Sequence, residues 1–114
     1  MAYSINFLSP SSSQPILVVG TGRADATLIH FAPPTSQLDE VFLYVNNTGA
    51  ASYPLVMQIV GTSVQQETIT MIPPQNIPQL VLPGWLITNE SSIFAYSPSG
   101  SGLFLIGGYI QRGP

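Results

Sequence analysis

The chain has no cysteine and no lysine, and its 114 residues include one histidine and two arginines, Arg23 and Arg112. Each shortage removes a class of chemistry. Without cysteine there is no disulfide framework, no thiolate zinc site and no cysteine nucleophile. Two arginines near opposite ends of the sequence do not make the basic stripe needed to grip phosphates, so nucleic-acid binding is disfavoured. Attraction to an anionic membrane surface fails for the same reason. No apolar run reaches the ~18–20 residues of a spanning helix. Met1 to Leu8 carries no basic segment ahead of an apolar one, so no secretory signal is expected. The triplets Asn46-Asn47-Thr48 and Asn89-Glu90-Ser91, which match the glycosylation sequon, are accordingly read as turn sequence.

Charge as a whole is scarce. Two arginines and five acids make seven charged residues, 6% of the chain, where an average chain of this length carries about 28. Hydrophobic residues stand at an ordinary 45%. The missing charge has therefore been replaced by Ser, Thr, Asn, Gln, Gly and Pro. High apolar content with a net charge of only −3 argues against disorder. The length suits a single domain that buries about two-thirds of its unfolded surface. Solubility and resistance to self-association lean on charge. Seven charges spread over the roughly 6,000 Å² that such a monomer exposes point to a surface that is covered in an assembly.

Helical patterning is also lacking. Eleven Pro and ten Gly are scattered along the whole length, and no window keeps apolar residues at i, i+3, i+4 and i+7 without them or a β-branched cluster. What is present is a series of short runs rich in Val, Ile, Thr, Phe and Tyr, the signature of strands. Eight are predicted: Pro15–Gly20, Ala26–Ala32, Leu38–Asn46, Tyr53–Gly61, Glu67–Ile72, Leu80–Ile87, Ser92–Ser97 and Leu103–Gln111. Turn chemistry fills the gaps. Pro33-Pro34 and Pro73-Pro74 cannot donate to a ladder, Asn46-Asn47-Thr48-Gly49 tolerates positive φ, and Ser97 to Gly102 reads as a loop. The third run is apolar on both faces, with Val41, Leu43 and Val45 opposing Phe42 and Tyr44. The last run behaves similarly. Strands apolar on both faces need a second cover, which in a small helix-free domain is most naturally another subunit. The expected fold is all-β: an antiparallel eight-stranded jelly-roll-like sandwich over residues 15–114, with an immunoglobulin-like sandwich as the alternative. Residues 1–14 form either an arm that docks on a partner or an additional edge strand.

The residues of catalysis are poorly represented. His30, the only histidine, lies in the apolar run Ala26–Ala32 and reads as a strand histidine bonded to its neighbours, not as part of a triad; there is no G-x-S-x-G elbow. Asp39 and Glu40 are adjacent, so on a strand they face opposite sides. They and the isolated Glu67 and Glu90 read as loop and edge charges that discourage stray strand pairing. Gly20-Thr21-Gly22 lacks the third glycine and the helix of a phosphate cradle, and reads as a turn with Arg23 and Asp25 as a local ion pair. No catalytic, cofactor or metal site is predicted, since one histidine with scattered acids is too few for ligation. Candidate interface residues are Tyr3, Ile5, Phe7 and Leu8 in the N-terminal segment, Phe42 and Tyr44 on the third run, and Trp85. The last is expected either to pack under the Pro83-Gly84 corner, to sit in a subunit contact, or to stack on a sugar.

Taken together, Thr27-Leu28-Ile29-His30-Phe31-Ala32, Leu38 through Thr48, Ile72-Pro73-Pro74, Leu82-Pro83-Gly84 and Gly108-Tyr109-Ile110-Gln111-Arg112 resemble the small cysteine-free β-proteins encoded among virion structural genes of tailed bacteriophages. The match spans residues 27 to 112. It implies a jelly-roll capsid decoration, or cement, protein: a non-enzymatic subunit without cofactors, usually a homotrimer, that binds the phage major capsid protein and stabilises the shell. Such a protein is made in the host cytoplasm and resides on the virion surface. The alternatives are a tail, baseplate or fibre component, or a carbohydrate-binding sandwich module.

Overall fold

The computed structural model describes residues 4–8, 14–32, 38–61, 65–74, 78–87 and 91–113; Tyr3, the Pro33-Pro34 stop and Glu90 lie outside them. Among the described residues there is no α-helix, and nine strands form two antiparallel sheets: β1 (Ser4–Asn6), β2 (Ile16–Leu17), β3 (Thr27–Phe31), β4 (Asp39–Asn47), β5 (Tyr53–Val60), β6 (Gln65–Ile72), β7 (Gln79–Ile87), β8 (Ser92–Tyr96) and β9 (Phe104–Arg112). One sheet runs β1-β9-β4-β7 with β2 also on β9; the other runs β3-β8-β5-β6. The architecture is a β-sandwich. Its pairing is nested: β2 with β9, β3 with β8, β4 with β7 and β5 with β6. The chain thus doubles back as one long ribbon, and successive rungs of that ribbon alternate between the sheets. Contacts of β4 with β9 and β5 with β8 close each sheet.

Alternation along the strands builds the interior. On β4, Asp39, Val41, Leu43, Val45 and Asn47 are buried while Phe42, Tyr44 and Asn46 are more open. On β9, Phe104, Ile106 and Ile110 are buried. They meet Ile29, Leu55, Met57, Ile72, Ile93 and Ala95 of the opposing sheet in one core, each large aliphatic stabilising the fold by about 1.5–3 kcal/mol. Asn47 reaches from the end of β4 to fasten the following turn. Its Nδ2 donates to the carbonyls of Ala51 (2.8 Å) and Ile72 (2.7 Å), and its Oδ1 accepts from Gly49 N–H (2.8 Å).

One open reading is narrowed here and two expectations change. Ser4–Asn6 pairs antiparallel with Ile110–Arg112, so of the two readings of the N-terminal segment the edge strand is the one observed. Leu8 belongs to the core, 1% exposed, and is not a surface residue. Of the first predicted run, only Ile16–Leu17 forms a strand, prolonged by a bond from Val18 N–H to the Phe104 carbonyl.

Candidate interaction face

The outer face of the five-stranded sheet follows from cross-strand register, because residues directly opposite one another share a side. Glu40 lies between Leu86 and Gln111, Phe42 between Pro83 and Tyr109, and Tyr44 between Leu80 and Gly107. Ile5 stands opposite Gln111, and Leu17 opposite Leu105, on the same side. Ile5, Leu17, Tyr44, Leu80 and Leu86 are all exposed, from 40% at Tyr44 to 70% at Ile5. Phe42 and Tyr109 stack at 4.8 Å with their rings 15° apart, so they half-bury each other without help from a second layer. Glu40 is the one charged side chain among these described rows. Isolated apolar residues are normal on a surface, whereas a contiguous apolar face marks an interaction site.

A shallow groove of about 370 Å³ crosses this face, lined by Pro15, Tyr44, Asn46, Pro78, Leu105, Gly107 and Gly108. Pro15 leads into β2 and Pro78 into β7, the outer strands on either side of β9 and β4, so the lining spans the width of the sheet.

Ile5, Phe42 and Tyr44 therefore come together on one face. Phe7 is exposed just beyond β1. Trp85 does not join Phe42 and Tyr44. It pairs with the inward-facing Val41 on edge strand β7 and is 37% exposed.

Two polar clusters join residues that lie far apart in the sequence. In the first, His30 on β3 meets Asp39 on β4 across the sandwich, Nε2 to Oδ2 at 2.8 Å, with both side chains 1% exposed. Arg112 on β9 closes the carboxylate with a fork, Nε to Oδ1 at 2.7 Å and Nη2 to Oδ2 at 3.0 Å. A register shift between Leu28 and His30 is what turns His30 inward, since bulges re-aim the side chains beside them. Burial pushes the His30 pKa below its ordinary value, against the pull of Asp39. For Asp39, burial acts upward, but the bonds from Arg112 and His30 hold the carboxyl below its usual range. Asp39 is thus an internal tie between sheets and not an edge charge. The His–Asp pair is closed to solvent, and each carboxylate oxygen accepts from the Arg112 guanidinium.

The second cluster lies on the outer side of the four-stranded sheet. Glu67 accepts a fork from Arg23 (2.8 and 2.7 Å) and single bonds from Gln58 Nε2 (3.0 Å) and Tyr96 OH (3.3 Å). The bond from Arg23, then that from Gln58, lower its pKa to about 2. Glu67 is therefore not isolated, and Arg23 pairs with it in place of Asp25. The Asp25 carboxylate instead accepts the backbone N–H groups of Thr21 and Gly22 (3.2 and 2.9 Å), which shapes the 3-10 turn Arg23–Asp25. A cavity of about 540 Å³ lies beside this cluster, lined by Arg23, Ala24, Ala26, Gln58, Val60 and Phe94.

Among the described residues, no three His, Asp or Glu side chains converge as a metal site would need, and no helix is long and apolar enough to cross a membrane. No protein-family model matches the chain, no curated protein is significantly similar to it, and no solved structure matches it significantly.

Proposed function

We propose that the chain is a non-enzymatic structural subunit of a tailed-phage virion: a capsid decoration protein that forms a small oligomer, a homotrimer by analogy, and stabilises the shell of major capsid protein. The observation that carries this reading is the apolar outer face of the five-stranded sheet, with a single carboxylate and a groove across its width. Such a face in water favours permanent cover, and a subunit that binds only the assembled shell stabilises that state by mass action. The virion assignment draws on the resemblance over residues 27–112. The nested strand order supports a jelly-roll connectivity: counted from β2, the sheets read β2-β9-β4-β7 and β3-β8-β5-β6, as expected for eight strands wound as two Greek keys. Closure of the buried His30–Asp39 pair supports a role without catalysis.

Light scattering at micromolar concentration tests the assembly. The expected mass is a multiple of the 12.2 kDa chain, three chains on the decoration reading, and a clean monomer overturns it. Cryo-microscopy of purified particles tests the location. Density for this fold on the outside of the shell is expected, and density confined to tail or baseplate overturns the decoration role.

A further inference from the structure

Two adjacent glycines on β9 differ in a way that folding alone does not explain. At Gly108 a Cβ would collide with the carbonyl of Phe42 on the neighbouring strand, so only glycine fits. At Gly107 a Cβ would meet nothing within 4 Å, and Gly107 is not among the residues with positive φ. Neither packing nor backbone conformation requires glycine there, in a central strand where glycine is disfavoured. Its absent side chain leaves the floor of the groove open between Tyr44 and Leu105. Glycine inside a strand often marks a bulge, a bend or the close approach of a ligand or another backbone, and β9 pairs with β4 without a register shift at Gly107.

We infer that the groove over Gly107 receives an apolar side chain from a second copy of this chain, making it the central contact of the oligomer; this rests on the assembly reading above. Area and charge favour a second copy. Four strand positions about 4.8 Å apart and strands about 30 Å long give a face of roughly 600 Å². Set against an equal area of a neighbouring copy, that face buries about 1,200 Å² in total, the lower bound for a stable specific interface. Interfaces between identical subunits are the more apolar kind, and the groove has no charged residue in its lining. Glu40, four positions along β4 from Tyr44, stands about 13 Å away. A charged partner would find no counterpart in the groove, whereas a copy brings Ile, Leu and Phe side chains that are already exposed.

The test is Gly107→Leu, with Gly107→Ala as the milder variant, each compared with the wild-type chain by sedimentation and thermal melting. Leucine fills the groove, so self-association should weaken on the order of 100-fold, as when a central interface pocket is lost, while the monomer still folds. Alanine should weaken it less and, at a dilution where both chains are monomeric, leave the melting temperature equal or higher. A Gly107→Leu oligomer of unchanged mass and affinity overturns the groove contact and leaves the assembly reading standing. Should Gly107→Leu not fold, an unchanged Gly107→Ala oligomer overturns it in the same way. A wild-type monomer overturns both. If that monomer binds purified shells and Gly107→Leu does not, the occupant is the shell protein and the second-copy assignment is wrong.

Discussion

Asp39 and Glu67 each hold a forked arginine and further donors, yet one is sealed between the sheets and the other sits on the outside of one sheet. Asp39 is 1% exposed, and its arginine comes from the adjacent β9. Glu67 is 21% exposed and its Arg23 is 70% exposed. The same bond geometry therefore does two jobs. Inside, the carboxylate must keep its partners or leave charge buried without compensation. Outside, water replaces any partner that is lost. Between them the clusters use four of the seven charged residues, which helps to leave the outer face of the five-stranded sheet almost neutral.

The largest expected effect is at Asp39. Asp39→Asn should cost about 3 kcal/mol or more, because Arg112 and His30 lose a buried anion; urea unfolding measures it, and a near-wild-type midpoint would erase the contrast with Glu67. Acid comes next. His30 has a folded pKa below the ordinary 6.5, so its neutral form stabilises the fold fully above that pH and the benefit declines as pH falls below it. Asp39 has a folded pKa below 3.8, so its share is complete above that value and is lost as pH falls through the folded value. Unfolding midpoints should be level at neutral pH, decline in mild acid and drop again as pH falls below 3.8. His30→Gln should remove the first decline and keep the second, and an unchanged profile would show that His30 is not responsible.

Arg23→Ala should leave the unfolding midpoint within experimental scatter, since Arg23 is open to water. The same variant should move the Glu67 carboxyl upward from about 2 toward 4.5, read by carboxyl NMR titration; a fixed value would mean that Gln58 and Tyr96 alone hold it. The smallest effect concerns salt. Raising sodium chloride from about 0.05 to about 0.5 M should alter self-association less than about twofold, because the groove offers no charge to screen. A steep salt dependence, measured by sedimentation, would move the contact toward the Glu67 side.

Much of the fold is visible in one-dimensional pattern. The run Tyr53–Gly61 becomes Tyr53–Val60, Ser92–Ser97 becomes Ser92–Tyr96, and Leu103–Gln111 becomes Phe104–Arg112, because β-branched and aromatic runs between prolines and glycines leave few alternatives. The clusters are less visible because their members are far apart: Arg112 lies 73 positions from Asp39, and Glu67 lies 44 from Arg23. Only strand register brings such residues together. A signal for Asp39 did exist. It shares the parity of Val41, Leu43 and Val45, so a strand starting at Asp39 turns that carboxylate inward. His30 offered no equivalent, since its direction depends on a bulge. The groove at Gly107 was equally silent, because a glycine that is forced by a neighbour and one that is not look alike in sequence.

The nested ribbon also fixes when this protein becomes a protein. β1 and β2 pair only with β9, so Ile16 waits for Ile106 and Ser4 for Arg112. At ordinary synthesis rates that wait is roughly ten seconds, during which β5 can pair with β6 and β4 with β7 while β1 and β2 have no partner. The five-stranded sheet therefore closes only after β9 has been made, and the first strands of the ribbon are the last to gain their partner.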